Sequence, residues 1–448
     1  MTEPSEMGPS RIADSAMYSH LWGTPESRAV FGERARLQGW LDVLAALARA
    51  QAAEGLVPAA AADSITASAH VDLLDLDVMA EQTRTSGHST LGLVRALQQV
   101  LPPEVHAQVY VGATVQDLTD TWTATALRTV AGLVRRDLLR LEDLLLDLAV
   151  RHRDTLQAGR THGQPGSPVT FGWKAASWAD EVRRHLDRLR EAGPRWAVGQ
   201  LGGGVGTLAA LGSAGLAVRR RFCAELGLAD PGTSWLTARD RVAEAGSVLA
   251  MVCGTLARIG LEVYELQRPE IGELREPTRP ELVGSITMPH KRNPERSEHL
   301  DTLARLVRAN AGVLLEGMVG ASERDGRSWK AEWLALPEVC LLTTAATALA
   351  VELVDGLEVD EAAMRRNLDS WTGSEQALAL LTPRLGKHAA QAALHEALRD
   401  GRATDRTLGE ALQDLLPGAE RLVPDPGLAG EMVDLVVARG RAARAGEP

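Results

Sequence analysis

At 448 residues the chain is long enough for two or three domains around a large core. A net charge of −11 argues against a nucleic-acid partner, which calls for a basic surface. Hydrophobic residues make up 45% but aromatics only 4%, and few runs alternate with period two, so strands have little support.

Met1 to Ser10 is polar with two Pro and no apolar core, and it reads as a disordered start rather than a signal peptide. No run approaches the ~20 apolar residues of a membrane span, so a soluble, cytoplasmic protein without a membrane partner is expected. The first helix runs through Trp40–Ala48 and stops near Gly55-Leu56-Val57-Pro58, a Gly-then-Pro ending. A second helical stretch, about residues 60–101, is broken by Thr85-Ser86-Gly87-His88-Ser89-Thr90, and Pro102-Pro103 marks a boundary. From Thr121 to Asp154 there is no Pro and one Gly, with Leu127, Val130, Leu133, Val134, Leu138, Leu141, Leu145 and Leu148 keeping helical spacing. Such a run approaches ~50 Å at 1.5 Å per residue, a length natural in an elongated bundle. Further long helices are predicted over about 169–191, 239–265 and 294–320, and apolar residues on more than one face suggest a bundle shared between subunits. Shorter helices follow a second boundary near Gly356. Cys223, Cys253 and Cys340 form no Cys-x-x-Cys pair and read as buried thiols in a reducing cytosol; no metal site is visible.

The chemistry concentrates where polar loops break this rhythm. Residues 284–294 read Gly-Ser-Ile-Thr-Met-Pro-His-Lys-Arg-Asn-Pro. Ser285, Lys291 and Asn293 put a hydroxyl, a cation and an amide on one segment, a set able to hold a carboxylate and take a proton beside it. Of 48 basic residues only four are Lys, and one of them stands here. Against this, a Gly-Ser turn before a helix is usually just a cap. Gly112-Ala113-Thr114-Val115-Gln116-Asp117 opens the long helix and is either an N-cap box or an anion site. Gly159-Arg160-Thr161-His162-Gly163-Gln164-Pro165 holds a His that, read alone, is more often structural than catalytic. The glycine run Gly202-Gly203-Gly204-Val205-Gly206 has no preceding strand and no following Lys-Ser/Thr, so it is not a P-loop and reads as close helix packing. Arg239, in Thr237-Ala238-Arg239-Asp240-Arg241, is either a surface charge or a carboxylate ligand.

Residues 284–294 resemble the signature of the aspartase/fumarase superfamily, Gly-Ser-Ser-x-Met-Pro-x-Lys-x-Asn-Pro, with Ile286 standing where the second Ser usually does. The resemblance implies that Ser285 is the catalytic base and that Lys291 and Asn293 stabilise a substrate carboxylate. Thr114 and Gln116 fall where the superfamily binds substrate with Thr-Ser-Gln or Thr-Ser-Ser; Val115 departs from the Ser and takes away one hydrogen bond. The Arg-Thr-His-Gly-Gln segment resembles the superfamily's second block, which implies His162 as the general acid, or as the group orienting the leaving atom, with Thr161 and Gln164 as substrate ligands. Arg239 falls on an Arg-Asp pair and is implied to bind a substrate carboxylate. His88 lies near the point where a His or Asn of related enzymes enters the site from another subunit.

The resemblance covers about residues 12–440. Glu323-Arg324-Asp325, Trp329, Glu332-Trp333-Leu334 and Leu336-Pro337-Glu338 look most like 3-carboxy-cis,cis-muconate cycloisomerases. That branch typically carries Trp-Leu-Gln where His162-Gly163-Gln164 stands. The Tyr-x-Arg-Pro-Glu block of adenylosuccinate lyases is replaced by Gly23-Thr24-Pro25-Glu26. Together these features imply a cofactor-independent lyase that eliminates a group from a small succinate derivative and releases fumarate. The nitrosuccinate lyases of antibiotic pathways, which are carbon–nitrogen lyases, fit that description. Alternatives are a cycloisomerase, an adenylosuccinate lyase, and a non-enzymatic structural relative, the last opposed by the presence of Ser285, Lys291, Asn293 and His162. The family architecture implies an all-α homotetramer with a long central helix bundle and four sites, each built from three subunits around a small dicarboxylate. Three helical domains are expected, at residues 1–105, 106–355 and 356–448.

Overall fold

The computed structural model describes residues 10–279, 281–368, 372–419 and 423–446, and among them the fold is all-α apart from two short antiparallel strand pairs. After a short helix at Pro25–Phe31 come α1 (Glu33–Ala53), a ten-residue helix at Ala59–Ser68, α2 (Leu76–Ser86) and α3 (Leu91–Gln99), the last two separated at the polar break the sequence marks. Then α4 (Val115–Arg151) runs unbroken for 37 residues, roughly 55 Å at 1.5 Å per residue. Its Leu127, Val130, Val134, Leu138, Leu141 and Leu145 are all buried, a stripe spaced by three and four that keeps one face turned inward. Strands β1 (Leu156–Thr161) and β2 (Gln164–Thr170) follow, then α5 (Phe171–Trp196), α6 (Asp240–Leu266), β3 (Leu274–Arg275), α7 (Glu295–Glu316), α8 (Gly326–Asp355) and β4 (Glu358–Val359), with shorter helices to the end. Strand β3 pairs with β4.

The described chain packs into two compact units. The first is drawn from Met1–Asp137, His185–Gly254 and Thr302–Ala348, the second from Leu138–Arg184, Thr255–Asp301 and Leu349–Pro448. The expected boundary at residue 105 falls inside the short turn of helix Pro103–Gln108 of the first unit, and residue 355 is the last of α8 in the second. Leu41, Leu44, Leu47, Leu93, Leu97 and Leu118 pack with Leu201, Val218 and Phe222 in the core of the first unit. In the second, Ala377, Leu394, Leu408 and Leu412 form a smaller apolar cluster. One expectation needs correction: α6 and α8 are long and apolar enough to cross a membrane by composition. With 67% and 56% of their apolar windows buried inside the protein, they are accounted for as core helices.

The β1–β2 hairpin is the exception to a chain otherwise unsuited to strands. Pro165 and Pro168 in β2 forbid a helix there, yet a two-stranded ribbon tolerates them because each strand has a free edge. The ribbon is pinned from its side by Glu273. This fully buried carboxylate accepts from Gln157 Nε2 at 2.6 Å, from Arg160 at 2.5 and 3.0 Å, and from Asn367 Nδ2 at 2.8 Å. Replacing Glu273 with Ala strands those donors and should lower unfolding free energy by about 3 kcal/mol in urea titrations; a loss below ~1 kcal/mol would show that the hairpin does not depend on it.

Candidate active site

The segment before α4 is organised by one carboxylate. Asp117, 1% exposed, accepts from the backbone N–H of Thr114 at 2.9 Å, of Gly202 at 2.9 Å and of Gly203 at 3.0 Å, and from Gln200 Nε2 at 3.1 Å. The glycine run is thus a cradle for an internal carboxylate, not a packing seam alone. Burial pushes the Asp117 carboxyl up to about 6, against the pull of these four donors. Thr114 is held at the mouth of this loop with its backbone tied down. Gln116 is completely buried, and its Nε2 is spent on Leu236 O at 3.0 Å and more weakly on Asp120 Oδ2 at 3.4 Å, leaving only Oε1 without a partner.

Arg239 sits behind that segment. Its guanidinium, 3% exposed, donates to Asp120 at 2.8 and 3.1 Å and to Glu332 at 2.9 and 2.5 Å, while Trp329 Nε1 donates to Asp120 at 3.2 Å. Burial works against its charge, but the two carboxylates hold its pKa above the ordinary arginine range. Four of its five N–H donors are committed to Asp120 and Glu332, so this geometry gives Arg239 a supporting role instead of the direct substrate contact expected of it. The alternative of a surface charge is excluded by its burial.

His162 and Gly163 are the two central residues of the β1–β2 turn, between Thr161 and Gln164, which pair across the hairpin. Both have positive φ, 53° and 75°, the type I′ pattern that favours Asn-Gly. A glycine at the second position is therefore required by the backbone, whereas His at the first is tolerated at some cost. Thr161, His162, Gly163 and Gln164 are all exposed, so the hairpin lifts an imidazole, a hydroxyl and an amide together into solvent.

The loop from Pro277 to Pro294 is closed at its base by Glu276. That buried carboxylate accepts from the N–H of Arg296 at 3.1 Å and of Ser297 at 2.7 Å, capping the start of α7. Gln267 ties both flanks, its Oε1 accepting from Glu276 N at 2.7 Å and its Nε2 donating to Arg292 O at 3.3 Å. Gly284 passes so close to the carbonyl of Lys291 that a Cβ has no room there. Ser285, half-buried, accepts from the N–H of Met288 at 3.0 Å, an interaction that favours its oxyanion form. Lys291 is exposed and Asn293 half-buried, and both line an open cavity of about 560 Å³ with Tyr264, Arg268, Arg275 and His290. Ile286 is 93% exposed.

His88 is exposed, and its Nδ1 accepts from the N–H of Thr90 at 3.4 Å and of Leu91 at 3.1 Å, at the start of α3. Thr114, Gln116, Arg239 and His88 thus belong to the first unit. Thr161, His162, Gln164, Ser285, Lys291 and Asn293 belong to the second, the last three on one loop and the first three on one turn. Asp117, Asp120, Glu273 and Glu276 were not singled out by sequence reasoning. Their signal was weak but present, in Asp117 and Asp120 spaced by three after Gln116, and in Gly272-Glu273-Leu274-Arg275-Glu276 ahead of the signature loop.

The structure thus carries Ser285, Lys291 and Asn293 on one glycine-led loop and His162 at a hairpin apex, on an all-α scaffold. The chain belongs to the lyase family of the aspartase/fumarase superfamily: the family model described as Lyase matches residues 22–309. The chain is 39% identical over 390 residues to an N-acetyl-S-(2-succino)cysteine lyase of Dickeya dadantii, covering 86% of each chain. It is 44% identical over 378 residues to a 3-carboxy-cis,cis-muconate cycloisomerase of Pseudomonas aeruginosa, covering 83% of this chain and 82% of the relative. The crystal structure of a 3-carboxy-cis,cis-muconate lactonizing enzyme from Pseudomonas putida superposes with a TM-score of 0.87 at 36% identity, covering 96% of this chain and 99% of that one.

Two outcomes follow. Arg239→Met leaves Asp120 and Glu332 buried without a counter-charge and should cost about 3–5 kcal/mol in urea unfolding; a neutral result would mean the pair is readily protonated or hydrated. For Asp117, the folded carboxyl titrates near 6, above the 3.8 of a free aspartate. Its contribution to stability is therefore full at the acid end and is lost as pH rises through about 6. The stability difference between wild type and Asp117→Asn, followed by urea midpoints from pH 4 to 7, should shrink as pH rises and level off above 6. An increase over that window would mean the four donors outweigh burial.

Proposed function

We propose that this lyase splits a small C2-substituted succinate into fumarate and a heteroatom leaving group. The observation that carries the reading is His162 at the hairpin apex, solvent-facing and flanked by Thr161 and Gln164. An acid at that point serves an elimination, in which a departing sulfur, nitrogen or oxygen needs a proton. Ser285 takes a proton from C3, and the electron pair moves first into the neighbouring carboxylate, giving an aci-carboxylate. Lys291, Asn293 and Thr114 stabilise the charge that develops there, the largest electrostatic contribution expected. The pair then returns to form the C2–C3 double bond as the C2 substituent leaves with a proton from His162. Gln116 and Arg239 act behind this shell, keeping Thr114 and the start of α4 in place. No cofactor enters the scheme. The superfamily's homotetramer, with each site drawn from three subunits, is the assembly this reading calls for.

The Dickeya relative named for N-acetyl-S-(2-succino)cysteine supports a thiolate as leaving group. Nitrite, the leaving group expected from the sequence, rests on the missing purine-enzyme block. A second reading, cycloisomerisation, is favoured by the 44% identity to the Pseudomonas aeruginosa cycloisomerase. The test is fumarate release from a panel of N-acetyl-S-(2-succino)cysteine, nitrosuccinate, adenylosuccinate, argininosuccinate and aspartate, with lactonisation of 3-carboxy-cis,cis-muconate run beside it. Fumarate from a small succinate supports elimination, and lactonisation alone overturns it.

On the active substrate, Ser285→Ala should lower kcat by roughly 1,000-fold or more with the circular dichroism spectrum unchanged, whereas full activity would remove Ser285 as the base. His162→Asn places the residue a type I′ turn prefers, so Tm should stay at or above wild type while kcat falls about 100-fold or more. Retained activity in that variant would assign the proton to another group.

A further inference from the structure

The first unit contains a cavity of about 200 Å³ whose lining includes none of the candidate site residues. Aromatics are 4% of this chain, yet Phe31 and four of its ten tryptophans, Trp40, Trp122, Trp329 and Trp333, gather around this one space. The rings brace one another: Trp329 meets Trp333 edge-on at 4.9 Å between centroids, and Phe31 meets Trp122 at 6.0 Å. A core built from leucine and alanine elsewhere has here a rigid aromatic box, the lining typical of small-molecule sites.

Two hydrogen-bond donors on this wall are unspent. Arg36 Nε and Trp40 Nε1 are buried and have no partner among the described residues. The guanidinium of Arg36 lies 5.5 Å from the Trp122 ring centroid, with one terminal nitrogen donating to Phe31 O at 3.2 Å. A buried donor left unpaired is costly, and no unpaired acceptor on the lining balances these two. The missing partner is therefore an acceptor. The charges here are already matched or negative in excess, since Arg36 is set against Glu33, and Asp120 and Glu332 on the wall share Arg239 behind them. An entering anion would leave one buried negative charge uncompensated.

We propose that this cavity binds a small planar aromatic compound bearing an uncharged carbonyl oxygen, its ring among the tryptophans and its oxygen facing Arg36 and Trp40. The size is appropriate, because a dry cavity of roughly 150 Å³ takes benzene, and about 200 Å³ leaves room for a two-carbon carbonyl substituent. The site is independent of the elimination chemistry and stands or falls separately from it.

Isothermal titration of the full chain with acetophenone, with ethylbenzene as the oxygen-free isostere and with benzoate as the charged analogue, tests the proposal. Acetophenone should bind saturably, one per chain, about 10-fold tighter than ethylbenzene, and saturating succinate should leave its affinity unchanged. In Arg36→Met the two neutral probes should bind within about threefold of each other; Trp40→Phe provides the same comparison if that variant does not fold. The proposal is overturned by absence of saturable acetophenone binding, by equal affinity of acetophenone and ethylbenzene for the wild type, by tighter binding of benzoate, or by competition with succinate.

Discussion

The polar loops that carry Thr114, His162 and Ser285 each depend on a buried carboxylate that holds the backbone or the flank of the loop. A loop that carries catalytic side chains cannot bury its own N–H groups in regular structure, and each unpaired one is expensive away from water. Asp117 takes up the amides of Thr114, Gly202 and Gly203, Glu276 takes up those of Arg296 and Ser297, and Glu273 gathers the side chains of Gln157, Arg160 and Asn367. Asp120 and Glu332 do the same for Arg239. These acids serve as internal acceptors, while Thr161, His162, Gln164 and Lys291 reach solvent at the loops they brace.

That division of labour bears on the chemistry. The dicarboxylate site proposed above calls for donors and cations, and burying Asp117 and Glu276 against backbone amides satisfies the charge of these acids within the protein. The hairpin is braced at Arg160, one residue before Thr161, and its apex is exposed. The loop after Glu276 is closed at its base by Gln267 and pinched where Gly284 passes the Lys291 carbonyl, which keeps Ser285 and Lys291 on one short segment.

Helix content, the long helix through residues 121–151 and the polar breaks were legible because they rest on local properties: Pro and Gly placement and the three-four spacing of leucines. The signature loop was legible because its residue types are unusual together in a chain with four lysines. The hairpin was not, since Gly-Arg-Thr-His-Gly-Gln-Pro has neither strand propensity nor alternation; its register comes from the positive φ of His162 and Gly163 and from the brace at Glu273. Arg239 was found but misplaced in role, because one sequence cannot show that Asp120 and Glu332, over a hundred residues apart on either side of it in one case and ninety-three in the other, converge on its guanidinium. The anchoring acids were missed for the same reason: their partners are backbone amides distant in sequence, and no side-chain pattern announces them.

The central claim is that one fixed base removes one of the two C3 protons of a substituted succinate as the C2 substituent is eliminated. The measurement that meets it most directly is turnover of the two C3-monodeuterated diastereomers of the active substrate, with the fumarate read by mass. The account predicts that one diastereomer reacts more slowly and gives fumarate without deuterium, while the other reacts at the normal rate and keeps it. Equal rates with scrambled label would contradict removal of that proton by a single fixed base.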